Sequence, residues 1–189
     1  GDHGDLKVIG NSTPRYEYSF RLGADYKGFD FSIYCQGIGK RKIWGAGQLA
    51  IPGWNAKEGA MPETFCKDYW TEDNTDAYYP RAWDLGGSNT GFTMQRQSKY
   101  LLNMAYLRVK NINFGYTFPQ KWMKKAYINN LRVYMSLENF FTFDHLRGLP
   151  IDPEAISGYS MFSDNYNLGR TGTGTPVFKS LSFDLQLSF

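Results

Sequence analysis

Val177-Phe178-Lys179-Ser180-Leu181-Ser182-Phe183-Asp184-Leu185-Gln186-Leu187-Ser188-Phe189 is the stretch that decides the fold, because from Ser180 onward its side chains alternate without a break. Leu181, Phe183, Leu185, Leu187 and Phe189 share one parity, and Ser180, Ser182, Asp184, Gln186 and Ser188 share the other. A repeat of two is that of a β-strand, whose successive side chains point to opposite faces.

The same repeat recurs four times upstream. Near 15–23, Tyr16, Tyr18, Phe20 and Leu22 alternate with Arg15, Glu17, Ser19 and Arg21. Near 29–38, Phe29, Phe31, Ile33 and Cys35 are the apolar set, with Asp30, Ser32 and Gln36 between them. Gly23 to Gly28 separates these two segments, and Lys27-Gly28 predicts a tight hairpin. Near 106–118 the phase changes: Leu107 and Val109 share one parity, but Ile112, Phe114 and Tyr116 the other. One extra residue near Lys110-Asn111 restores a continuous apolar face, so a β-bulge is expected there. Near 131–139, Leu131, Val133, Met135 and Leu137 alternate with Arg132, Tyr134, Ser136 and Glu138.

Alternation alone does not say whether the apolar face meets a protein core or lipid. The connections are more telling. A turn is followed by a loop of some sixty residues, 39–99; the compact stretch Pro119–Asn130 is followed by a second long loop, 140–176. Short turns at one end and long loops at the other mark an outer-membrane barrel, with an apolar face toward lipid and a polar one toward a wet lumen. The expected fold class is therefore all-β: an antiparallel transmembrane β-barrel segment of about five strands. Five strands cannot close, and open edges cannot sit in lipid, so the remaining strands are expected before Gly1. The long loops are expected outside the cell and the hairpins in the periplasm. Trp122, Lys124, Lys125 and Tyr127 are then expected at the inner membrane–water interface.

Composition agrees with this and excludes several classes. Of 189 residues 17% are aromatic, enough to furnish the girdles of a barrel. No apolar run approaches the roughly 20 residues of a transmembrane helix. No signal peptide opens the chain, which reads as a mature protein or part of a longer one. A net charge of +3 with scattered basic residues argues against nucleic acid as a partner. The only cysteines are Cys35, expected toward lipid, and Cys66, expected in a loop, so two free thiols are anticipated.

Several strings, in order, resemble one family: Val8-Ile9-Gly10-Asn11-Ser12-Thr13-Pro14-Arg15-Tyr16, Tyr26-Lys27-Gly28-Phe29-Asp30-Phe31-Ser32 and Gln36-Gly37-Ile38-Gly39-Lys40-Arg41. Tyr69-Trp70-Thr71 and Tyr79-Pro80-Arg81 follow, then Tyr106-Leu107-Arg108-Val109-Lys110-Asn111-Ile112, Gly115-Tyr116-Thr117-Phe118-Pro119, Glu138-Asn139-Phe140-Phe141-Thr142 and Asp152-Pro153-Glu154. Together they resemble the carboxy-terminal portion of SusC/RagA-type TonB-linked outer-membrane transporters. The resemblance implies a barrel of roughly 22 strands with a plugged lumen. It also implies import of oligosaccharides or peptides, a SusD-type surface lipoprotein as lid, and a TonB complex acting through an amino-terminal part not present here. The plug domain is likewise expected to lie outside these residues. The competing reading is a secreted all-β glycan-binding or glycan-cleaving domain.

Candidate functional residues follow from this frame. Trp54, Trp70, Tyr78, Tyr79 and Trp83 in the first loop offer aromatic faces to a sugar, or else pack the loop into a small core of its own together with Trp44 and Tyr69. Arg15, Glu17, Arg21, Arg132, Glu138 and Asp184 are expected to face the lumen with Asp30, Gln36 and Gln186, touching the plug or lining the transport path. Arg132 and Asp184 are expected to pair across neighbouring strands. Phe183, Leu185, Leu187 and Phe189 resemble the terminal signal read by outer-membrane insertion machinery.

Catalysis and cofactors find no support. The loop acids Glu58, Glu63, Asp68, Glu72, Asp73, Asp76 and Asp84 show no pairing for glycoside hydrolysis. Glu72 to Asp76 lacks the glycine turn of a calcium loop. His3 and His145 are too isolated for a metal site, Cys66 has no nucleophile signature, and no helix follows Gly172 and Gly174 to make a phosphate cradle.

Overall fold

The computed structural model describes residues 7–45, 49–50, 61–81, 96–124, 127–154, 174–175 and 177–189. In chain order the elements are β1 (Tyr16–Tyr26), β2 (Phe29–Gly39), β3 (Lys42–Ile43), α1 (Glu63–Lys67), β4 (Leu102–Asn103), β5 (Tyr106–Thr117), α2 (Gln120–Met123), β6 (Asn130–Asp144) and β7 (Ser180–Ser188). They fall into two compact units. One comprises residues 16–39, 106–143 and 177–189, and the other residues 1–15, 40–105 and 144–176.

The first unit is a five-stranded sheet ordered β1-β2-β5-β6-β7, so each long strand lies beside the next one in sequence. β1 pairs antiparallel with β2, β2 with β5, and β6 with β7. The first hairpin is tighter than the sequence suggests. β1 runs on through Gly23 to Tyr26, which pairs with Phe29, leaving Lys27 and Gly28 alone in the turn. Both have positive φ, 50° and 90°, as a type I′ turn requires. Gly28 is required a second time, because a Cβ there would lie 2.7 Å from the Thr117 carbonyl oxygen. The expected bulge is present: Tyr34 pairs with Asn111 and Cys35 with Val109, so Lys110 is the extra residue on β5. The second connection folds α2 and closes with Phe118 N–H donating to the Leu131 carbonyl at 2.9 Å.

The bulge brings the apolar residues of both halves of β5 into register. Cys35, Ile33, Phe31 and Phe29 stand opposite Val109, Ile112, Phe114 and Tyr116, and also opposite Phe20, Leu22, Ala24 and Tyr26. On β6 and β7, Leu131, Val133, Met135 and Leu137 oppose Leu187, Leu185, Phe183 and Leu181. A soluble sandwich would cover such a face. Here Leu22 is 61% exposed, Phe183 75% and Leu185 60%. Cys35 belongs to this face by register, and at 4% exposure its small side chain is covered by its neighbours. Both cysteines are free, and Cys66 lies in α1. Among the described residues no helix is long and apolar enough to cross a membrane, which says nothing about crossing by strands. Strands of 11, 11, 12, 15 and 9 residues have the length that such a crossing takes, about 9–11.

The second unit has a core of its own. Phe65 and Met104 are essentially sealed, with Tyr79, Ala50, Leu146, Leu149 and Ile151 around them. Phe65 and Tyr79 come from the first long connection and Leu146, Leu149 and Ile151 from the second, so the two loops form one body. Thr64 Oγ1 donates to the Gly148 carbonyl at 2.8 Å, tying them by hydrogen bond as well. β3 and β4 pair as a short ladder within it, and Lys42 N–H reaches the Asn11 carbonyl at 2.9 Å.

Candidate functional site

Among the described residues two regions bring chemically capable side chains together, one in each unit. On the sheet it is the polar face. Glu17, Ser19, Arg21, Gly23 and Asp25 on β1 stand opposite Ile38, Gln36, Tyr34, Ser32 and Asp30 on β2. On β6 and β7 the corresponding set is Arg132, Tyr134, Ser136 and Glu138 with Gln186, Asp184, Ser182 and Ser180. Arg15, also expected on this face, precedes β1 and lies outside the sheet.

Arg132 does not pair with Asp184. The β6–β7 register sets Arg132 opposite Gln186 and Asp184 opposite Tyr134. Its guanidinium instead reaches Asp30, with Nε donating to Oδ1 at 3.0 Å and Nη2 to Oδ2 at 2.6 Å. Asp30 is on β2 and Arg132 on β6, with β5 between them. The pair passes over Gly115, the register partner of Asp30, where a Cβ would lie 2.6 Å from the carboxylate. Further along, Asn111 Nδ2 donates to Ser136 Oγ at 3.1 Å and Arg108 Nε to Thr142 Oγ1 at 2.9 Å. The face is thus cross-linked strand to strand by polar side chains.

The loop unit holds an open cleft of about 470 Å³ lined by Tyr78, Tyr79, Tyr100, Leu102, His145 and Arg147 among others. Its walls are positioned by local hydrogen bonds. Asp68 to Trp70 runs beside Tyr78-Tyr79, with Tyr79 N–H donating to the Asp68 carbonyl at 3.1 Å and Trp70 N–H to the Tyr79 carbonyl at 3.0 Å. Asn74 N–H closes the intervening turn on Thr71, so the acidic stretch Glu72 to Asp76 is its exposed tip. Tyr78 donates its hydroxyl to the Lys99 carbonyl at 2.5 Å. The rings of Tyr79 and Tyr100 stack 6.4 Å apart, and Tyr78 meets both edge-on. Burial, with Tyr78 close by, pushes the Tyr79 phenol up to about 12, and burial raises Tyr100 as well.

Of the five loop aromatics singled out in the sequence, the cleft gathers Tyr78 and Tyr79. Tyr79 is nearly all core. Trp70 is half-buried but does not line the cleft, and Trp54 and Trp83 lie outside the described residues. Sequence reasoning did not anticipate Tyr100, His145 and Arg147. The only local signal was Arg147-Gly148, a turn dipeptide with φ of 57° and 78°. Phe183, Leu185 and Leu187 line the exposed face of the edge strand β7, followed by the exposed Phe189. Trp122, within α2, and Tyr127, shortly after it, are exposed. Among the described residues no three His, Cys, Asp or Glu side chains come together as metal ligands.

No family model matches the chain. Individual relatives do. It is 27% identical over 186 residues, 98% of its length, to the TonB-dependent receptor P3 of Formosa agariphila, and 25% identical over 146 residues to the TonB-dependent receptor P39 of the same organism. Its fold superposes on the RagAB peptide importer in the closed-closed state with a TM-score of 0.65 at 25% identity, covering 97% of this chain. Another RagAB peptide transporter structure gives 0.66 at 25% identity over 96%. The chain spans 17% of the P3 receptor and 18% of the RagAB chain. The fold is therefore an all-β, five-stranded antiparallel sheet that matches part of a TonB-dependent receptor barrel. Within that class its likeness is to the TonB-dependent receptors of the SusC/RagA type, and these relatives are receptors and importers by name, not enzymes.

Proposed function

We propose that this chain supplies wall strands and surface loops of a TonB-dependent nutrient importer in a bacterial outer membrane, carrying oligosaccharides or peptides. The observation behind the reading is the exposed apolar face of the sheet, together with a likeness to an importer that covers nearly the whole chain. An apolar face of this extent is stable against lipid and unstable against water. The five long strands are then neighbouring staves of a roughly 22-stranded barrel in the carboxy-terminal part of the receptor. The Lys27-Gly28 turn and the α2 connection face the periplasm, and the long connections 39–99 and 140–176 face the cell exterior.

In this reading Glu17, Arg21, Arg132, Glu138 and Asp184 meet the plug or the transport path. A SusD-type lipoprotein closes over the loops, and energy arrives through TonB contacts made elsewhere in the receptor. The test uses the full-length receptor in its own bacterium. Deleting its gene should abolish uptake of a fluorescent oligosaccharide or oligopeptide. The receptor should leave the outer-membrane fraction only with detergent and bring a lipoprotein with it. Recovery as a soluble protein, or unchanged uptake without the gene, would refute the proposal.

A further inference from the structure

We propose that the cleft of the loop unit is a subsite for a carboxylate-bearing ligand, with Arg147 receiving the carboxylate and the Tyr78 and Tyr100 rings receiving the body attached to it. The inference rests on the importer reading for its biological cargo, and on the geometry of the cleft for its chemistry.

The volume, about 470 Å³, is that of a small-molecule site. Its floor is apolar, from Ala50, Leu102, Leu146 and Leu149, and its aromatic wall ends in phenol groups. Arg147 stands at the rim, in a left-handed backbone conformation that a residue with a side chain adopts at a cost, held there by the turn it forms with Gly148. Its guanidinium carbon lies 3.9 Å from the centre of the Tyr78 ring. A guanidinium stacked on a ring keeps its edge N–H groups free for a planar acceptor, and a carboxylate is the acceptor that matches the fork.

Among the described residues Arg147 is not consumed by its neighbours. Its ion pair with Asp68 spans 3.6 Å, too long for a hydrogen bond, and half of the side chain is exposed. A second cation lies beside the same rings: the Lys99 ammonium is 5.6 Å from the Tyr78 ring centre and 5.4 Å from that of Tyr100. The acid in the lining, Asp144, is occupied in capping its own turn, its Oδ1 accepting from Leu146 N–H at 2.9 Å. The cleft thus combines a stacked, under-used guanidinium with an apolar floor, and this favours an organic acid over an inorganic anion.

Two sources supply such a group: an acidic residue or terminus of a peptide, and a uronate of an oligosaccharide. The experiment uses the detergent-purified full-length receptor and two probe pairs. One pair is a carboxy-amidated hexapeptide containing glutamate and its glutamine counterpart; the other is a hexuronate and the matching neutral hexose oligomer. Within one pair the acidic member should bind about tenfold tighter. Arg147→Gln should remove that preference, and Arg147→Lys should restore part of it. Which pair shows the preference identifies the source. Lys99→Gln, at an exposed side chain, should reduce the preference even if Arg147→Gln loosens the loop unit. Equal affinities within both pairs, or a preference that survives both Arg147→Gln and Lys99→Gln, would overturn the proposal. Tight, acid-selective binding without any cellular uptake would instead support the subsite and count against the importer reading.

Discussion

Asp30 and Arg132 grip each other across the backbone of Gly115, joining β2 to β6 over the strand between them. Both side chains are about one-quarter exposed, and the contact is two-pronged. Such a pair is worth more than a surface ion pair, about 1–2 kcal/mol. Double-mutant cycles with Asp30→Asn and Arg132→Gln, read by denaturant unfolding of the detergent-folded receptor, should show that coupling. Gly115→Ala should erase it while both charges remain, because the new methyl occupies the space of the carboxylate. Strictly additive single changes would show that the pair contributes nothing.

The Lys27-Gly28 turn gives a second test. Gly28→Val places a β-branched side chain at φ of 90° and against the Thr117 carbonyl oxygen. Backbone strain alone costs about 1–3 kcal/mol, so folded receptor should fall markedly in outer-membrane fractions. Lys27→Asn, which suits its left-handed position, should be neutral or mildly favourable.

The two faces of β7 should respond oppositely to one change. Phe183→Arg puts a charge on the exposed apolar face and should cost about 2–4 kcal/mol in a bilayer, if the residue lies near its midplane. Ser182→Arg, one residue away on the polar face, should cost far less. Comparable losses in refolding titrations into lipid vesicles would contradict the orientation of the sheet.

The shared core predicts that the two long connections come apart together. Leu146→Ala removes a sealed side chain from beside Phe65 and Tyr79, and should cost about 2–5 kcal/mol of local stability. Limited proteolysis should then cut near α1 as readily as near Leu146. Cutting confined to the second connection would mean that the loops are independent.

Tyr79 sets an alkaline limit. Its phenol is raised to about 12, above the ordinary value near 10. The unfolded chain therefore gives up that proton first, so the contribution is complete below pH 10 and disappears as pH rises through 12. Protease resistance of the loop unit should fall across this window. Difference absorbance against Tyr79→Phe should assign the highest-titrating phenol to this residue.

The sequence alone determined every feature that depends on parity along one strand. The five alternating segments, the turn at Lys27-Gly28 and the extra residue at Lys110 were legible there, because a period of two and its single slip are local properties. Strand ends were less so: β1 runs to Tyr26 and β6 to Asp144, since pairing with a neighbour extends a strand beyond its own pattern. Only the tertiary structure decided who meets whom across the sheet. Asp184 looked like the partner of Arg132 because β7 is adjacent. The register offset Asp184 by one pair, and a missing side chain at Gly115 opened the longer path to Asp30. The cleft was half legible. Tyr78 and Tyr79 stood out in an aromatic loop, but Arg147 and His145 lie nearly seventy residues away, and contacts between distant loops leave no periodic trace in either one.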